Sequence, residues 1–339
     1  MNIKTEKKSF EDHTYTFIHI DTDTYKLTLC DYGASLYALE TKDREGNFDN
    51  IVFSPDIDFL HTNYKFAGNT IAPYAGRITP NRLPLKNDTY FPKPQSEDIL
   101  LHSGDHNLSK EHYNILIEGN QIIFSINPKP SKHYPMPKTI QIIYTVEEET
   151  FEISFYAMTE QEALVNMTNH AYYNLNGFKD TIADHHLYIE TDSVVFVDQY
   201  NRPVHIESLE DTIYDFRHTK PLAPIFEDLE MTPQKGLDHP FILKEGKISL
   251  HHQGTGRILH LETDYDVVVV YTNNFPYAMQ TKEGHMDEQH LSICLECQHL
   301  PNDLHLLSKP KSILPKYSES SYSIRYRFEV LKWFISMKN

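Results

Sequence analysis

The sequence predicts an all-β protein, a large antiparallel β-sandwich with few short helices. Three observations carry the prediction. Many short segments alternate apolar and polar residues with the period of two that a half-buried strand imposes. Polar stretches containing Gly or Pro separate them, as turns require. Long helical periodicity is scarce, so the regular helices that alternate with strands in an α/β fold are missing.

In chain order, Tyr25–Asp31 alternates with Leu27 and Leu29 on one face, and Gly33–Glu40 resumes the pattern. A polar turn around Gly46 leads to a strand at Ile51–Phe53. Ser54-Pro55-Asp56 reads as the start of a short helix ending before Tyr64, with Ser54 as N-cap and Pro55 in the first turn. The clearest hairpin joins Thr139–Val146 to Phe151–Ala157 through Glu147-Glu148-Glu149-Thr150. Further strands are expected at Gln121–Ile126, His186–Glu190, Ser193–Val197, Gly256–Glu262, Val267–Thr272 and Ser292–Gln298. The Pro-rich stretch Asn127–Lys138 reads as a loop. With neither a repeat nor a low-complexity linker, one domain spanning residues 1–339 is expected.

The charge balance narrows the function. Lys and Arg number 31 against 48 Asp and Glu, a net charge of −17, and no long basic run is present. A nucleic-acid backbone is therefore not the expected partner. The longest apolar runs, such as Val267–Tyr271, are too short to span a membrane, and the charged first residues do not read as a secretory signal. Three cysteines, Cys30, Cys294 and Cys297, suit a reducing compartment better than a disulfide scaffold. A soluble cytoplasmic protein is expected, its oligomeric state open.

Two strands hold the residues of chemical interest. In Asn166–Gly177, read as extended, Thr168, His170 and Tyr172 share one face, while Met167, Ala171 and Leu175 share an apolar one. An imidazole is the side chain most easily poised to move a proton near neutral pH. A strand ending in an Asn/Gly turn, with His170 merely hydrogen-bonded, fits the local pattern equally well. In Ser292–Gln298, Cys294, Glu296 and Gln298 share one face, and Ile293, Leu295 and Cys297 the other. The two sulfurs of this Cys-x-x-Cys thus point apart, and no second Cys pair completes a zinc site. Most of the 20 histidines read as surface or structural residues, and no metal site is expected. His102, Arg77 and Asp238 each stand near a Gly where a strand meets a loop, the usual place for site residues.

Together these segments resemble the aldose 1-epimerase (galactose mutarotase) family. N-M-T-N-H-A-Y-Y-N-L-N-G is similar to its TNHSYFNL-type signature, G-L-D-H-P-F-I-L to GxDHxFxL, and C-L-E-C-Q-H-L-P-N-D to CLExQxxPD. Weaker similarities follow the same order, at Gly33-Ala34, D-R-E-G, L-H-S-G, V-V-F-V-D-Q, Asp215-Phe216-Arg217 and Y-T-N-N-F-P. They cover roughly Gly33 to Phe328. The resemblance implies a galactose mutarotase-like supersandwich with a sugar cleft and neither metal nor organic cofactor. It implies Glu296 as general base, His170 as general acid, and Arg77, His102, Tyr172 and Asp238 as sugar-binding residues.

That chemistry suits the residue types. Anomer interconversion removes the C1 hydroxyl proton while protonating the ring oxygen, for which an ionised carboxylate and an imidazolium are matched. The sequence departs from the family pattern where Pro73 and Gly76 stand for an Arg and an Asn before Arg77, and Ser103 for the first Gly of HGG. Losing the Asn removes a hydroxyl-reading group and leaves the preferred sugar open. A hexose 6-phosphate would need several cations, and Arg82 and Lys86 are the nearest in sequence. A glycosidase pair of Asp238 and Glu296 would leave His170 without a role. A non-catalytic sugar-binding module is the alternative outside enzymes.

Overall fold

The computed structural model describes residues 1–86, 88–96 and 98–332. Its two main sheets are antiparallel. The first has five strands in sequence order, Asn2–Phe10, His13–Asp21, Tyr25–Cys30, Ser35–Lys42 and Phe48–Asn50. The second has 13 strands and runs from Asn114–Glu118 through the long hairpin Thr139–Val146 and Thr150–Thr159 to Ser318–Val330. It continues through Arg257–Thr263, Asp238–His252, Val267–Tyr271 and Ile293–Gln298 to Tyr172–Tyr173.

One apolar cluster joins the inner faces of both sheets. Leu27, Leu29, Leu36 and Leu39 of the first pack with Ile140, Ile142, Phe155, Leu259 and Ile324 of the second. The alternation explains it directly. Thr139–Val146 and Thr150–Thr159 each alternate strictly between buried and half-buried positions, and a one-residue slip would turn every core side chain outward. The expected sandwich is the observed one.

The structure corrects several local expectations. His186–Glu190 and Ser193–Val197 form one strand, His185–Val197, with register shifts at Ile189/Thr191 and Thr191/Ser193. The helix near Ser54 is a single 3-10 turn, Ile57–Phe59, capped by Asp56, whose carboxylate accepts from the Asp58 N–H. Ser54 instead donates to the Tyr37 carbonyl at 2.7 Å. The strand expected at Ile51–Phe53 forms at Phe48–Asn50.

Asn166–Gly177 is not one strand. Thr168–Asn169 pairs with Thr70–Ile71, and Tyr172–Tyr173 pairs with Ile293–Gln298. His170 sits at the break between them, its N–H donating to the Asn69 carbonyl and its carbonyl accepting from Gly68. Gly68 must be glycine, because φ is +74° and a Cβ would lie 2.3 Å from the Leu36 carbonyl oxygen.

Candidate active site

The end of the larger sheet and the loops packed against it enclose a cleft of about 190 Å³. Its floor comes from neighbouring strands held in register. Glu296 is opposite Val269, and Cys294 lies between Tyr271 on one side and Tyr172 on the other. All six residues of Ile293–Gln298 are buried, so Glu296 is carried on the most enclosed strand of the region.

The cleft gathers all six side chains singled out in the sequence: Arg77, His102, His170, Tyr172, Asp238 and Glu296. Thr168, expected beside His170, is buried outside it, because the chain leaves one sheet for another at His170. Met167, Ala171 and Leu175 join the main core as expected.

His170 Nε2 lies 3.4 Å from Glu296 Oε1, with both side chains almost wholly buried. Burial penalises each charged form. It pushes Glu296 up to about 8, with the neighbouring Asp238 adding to the rise and Arg77 opposing it. It pushes His170 down to about 3, with Lys65 contributing in the same direction. Both directions favour the uncharged forms, so burial opposes the ionised carboxylate and imidazolium expected from the residue types.

The rest of the cleft orders this pair. The rings of His170 and His102 meet edge to face at 5.4 Å, and Phe66 packs against both. His102 is fixed by Gly76, whose N–H donates to His102 Nδ1 at 3.1 Å. Burial holds the His102 imidazole well below its ordinary range, so it stays neutral and leaves Nε2 for a ligand. Across the cleft, Asp238 Oδ2 accepts from Asn201 Nδ2 at 2.7 Å and lies 3.4 Å from the Arg77 guanidinium. Lys65 runs beneath Tyr172, 4.2 Å from its ring centroid, and is paired with Asp287 at 2.5 Å.

Two groups of His, Cys, Asp and Glu among the described residues have ligand atoms within 4.8 Å of one another. In the cleft, Cys294 Sγ is 3.5 Å from His170 Nδ1, whereas Glu296 faces Nε2, so the two approach opposite nitrogens of one ring. In the other group, Asp184, His185 and His252, His185 Nε2 already accepts the Leu175 N–H. Cys297 packs into the main core, so the two sulfurs of Cys-x-x-Cys do point apart. Arg82 and Lys86 are exposed and do not line the cleft.

Residues 16–327 match the family model described as aldose 1-epimerase. The chain belongs to the aldose 1-epimerase family. It is 27% identical over 321 residues to the galactose mutarotase of Homo sapiens, covering 92% of this chain and 93% of that one. To the aldose 1-epimerase of Escherichia coli K12 it is 28% identical over 293 residues, 81% of this chain and 83% of the other. Among solved structures, an aldose epimerase homologue from C. elegans superposes with a TM-score of 0.86 at 25% identity, covering 93% and 99% of the two chains. A galactose 1-epimerase from Lactobacillus acidophilus NCFM, at 21% identity, shares the fold with a TM-score of 0.81 over 97% and 99%.

In this member of the aldose 1-epimerase family, the cleft also contains residues that no sequence pattern singled out. Asn201 follows an irregular strand end, and Lys65 and Phe66 sit in a loop. A buried lysine looks like any other in a sequence. Tyr271 and Gln298 lie within the segments Y-T-N-N-F-P and C-L-E-C-Q-H-L-P-N-D, but sequence reading assigned neither of them a role.

Proposed function

We propose that the cleft interconverts the α and β anomers of a free aldohexose such as galactose or glucose, opening and reclosing the hemiacetal by acid–base catalysis. The reading is carried by the buried His170–Glu296 pair, a carboxyl and an imidazole 3.4 Å apart, each held toward its uncharged form by burial. Family membership supports the reaction class. The site would belong to one sandwich domain working in a reducing compartment such as the cytoplasm.

Opening needs the proton on His170. Glu296 then takes the C1 hydroxyl proton as His170 gives its own to the ring oxygen, leaving an open-chain aldehyde. Its C1–C2 bond rotates, and closing runs both transfers backwards on the other face. After opening, the proton rests on Glu296 and His170 is neutral, the arrangement that burial favours in the free cleft. Burial therefore offsets part of the cost of forming the open-chain state, because the same desolvation that raises Glu296 stabilises its protonated form. Arg77 and Asp238 hold hydroxyls through charge-assisted hydrogen bonds, and Tyr172 offers its ring to the apolar sugar face.

Polarimetry on freshly dissolved α-D-galactose and α-D-glucose tests this, with Glu296→Gln and His170→Asn beside the parent protein. Acceleration by the parent and its loss in both variants is expected; equal rates in all three would refute the mechanism.

A further inference from the structure

Gln298 ends the strand Ile293–Gln298 that carries Glu296. Two residues apart, their side chains share a face of the sheet, and both line the cleft. Gln298 is 1% exposed, yet neither its Nε2 nor its Oε1 meets a hydrogen-bond partner among the described residues. Its surroundings are apolar: Val267 is opposite in register, and Val195, Val267, Val269 and Leu300 form a buried cluster there. Folded proteins rarely leave both ends of a buried amide unpaired, and an exception calls for a specific explanation.

Gly76 has φ +85°, and a Cβ there would lie 2.8 Å from Pro301 Cβ and 2.9 Å from its Cγ. An Asn could not replace Gly76 unless Pro301 moved. Val269, Pro240 and Pro301, which also line the cleft, offer no side-chain hydrogen bond. Beside these apolar side chains, Gln298 brings an amide to the cleft lining.

We propose that Gln298 is a specificity-determining residue that reads a sugar hydroxyl other than the one on C1. The C1 hydroxyl belongs to Glu296, and two residues along a strand is about 6.5–7 Å, enough to reach a different carbon. A hydroxyl both donates and accepts, and a primary amide does the same, so Nε2 donates to the hydroxyl oxygen while Oε1 accepts its proton. The proposal rests on the reading of this cleft as an aldose site.

The test pairs Gln298→Met, which keeps the length and removes the amide, with galactose lacking the hydroxyl at C2, C3, C4 or C6 in turn. Mutarotation is followed for the full-length parent and variant on each sugar. The parent is expected to lose on the order of 10- to 100-fold in kcat/KM on one deoxy sugar. Gln298→Met is expected to lose a similar factor on galactose and on every sugar keeping that hydroxyl, and nothing on the one lacking it. A uniform loss on all sugars, the mark of a merely structural role, overturns the proposal, as does no loss on any. If the Met variant does not fold, Gln298→Asn, which withdraws the amide by one carbon, must show the same pattern. A parent inert toward every sugar overturns the epimerase reading and this proposal together. An active parent with a uniform variant loss overturns this proposal alone.

Discussion

His170 Nε2 and Glu296 Oε1 are 3.4 Å apart in a cleft that leaves both side chains almost wholly buried. Each group lacks the water that would stabilise its charge, so Glu296 is pushed up to about 8 and His170 down to about 3. The proposed mechanism needs one proton on the pair. The pH profile of kcat/KM is expected to be flat through neutrality and to fall as pH rises through about 8, where the pair loses its proton. A second fall is expected well below pH 5, where His170 gains one. A limb near pH 6.5 would contradict this ordering.

The same burial predicts a pH-dependent stability. A carboxyl raised from the ordinary range to about 8 gives stability that is complete below its unfolded value and lost as pH rises through about 8. Glu296→Gln removes the charge that cannot be solvated. It is expected to unfold at a higher temperature than the parent at pH 9, by the equivalent of a few kcal/mol, and at the same temperature near pH 4. Thermal unfolding across pH checks this, and a difference independent of pH would count against it.

Asp238 is held by Asn201 at 2.7 Å and by Arg77 at 3.4 Å, away from the two atoms that exchange protons. In the proposed mechanism Asp238 contacts the sugar before and during reaction alike, so removing its charge weakens binding of both states. Asp238→Asn is expected to raise KM by roughly 10- to 100-fold, as for one hydrogen bond to a charged group. The effect on kcat should be smaller. A kcat collapse with unchanged KM would assign Asp238 to the chemical step.

Lys65 and Asp287 form an ion pair with neither side chain exposed, beneath Tyr172. Lys65→Met leaves the buried Asp287 without its cation, with neutral donors from Asn273 and the Tyr277 N–H, and is expected to destabilise the fold by about 3–5 kcal/mol. Lys65→Met with Asp287→Asn should recover much of that loss, because no buried charge remains. Urea unfolding of the parent, each single variant and the double variant gives the comparison, and additive losses would show that the two residues are not coupled.

Much of the fold was legible because alternation controls burial. Thr139–Val146 and Thr150–Thr159 announce themselves, since every second residue faces the core. The first hairpin, Asn2–Phe10 with His13–Asp21, did not, because the outer strand is charged and mostly exposed. The cleft was legible where side chains lie on strands, as for Glu296. His170 was legible as a residue but not in its setting, since the chain breaks there to satisfy Gly68 and Asn69. Asn201 and Lys65 come from loops brought in by distant contacts, which local pattern does not encode. The proton's place on Glu296 depends on burial from every side, and residue type alone pointed the other way.

The most direct test of the central claim is polarimetry of freshly dissolved α-D-galactose with the parent protein, Glu296→Gln and His170→Asn at pH 7. The predicted result is rapid mutarotation by the parent and a fall of about 10²- to 10⁴-fold or more in each variant. Variants that equilibrate the anomers as fast as the parent would contradict the account.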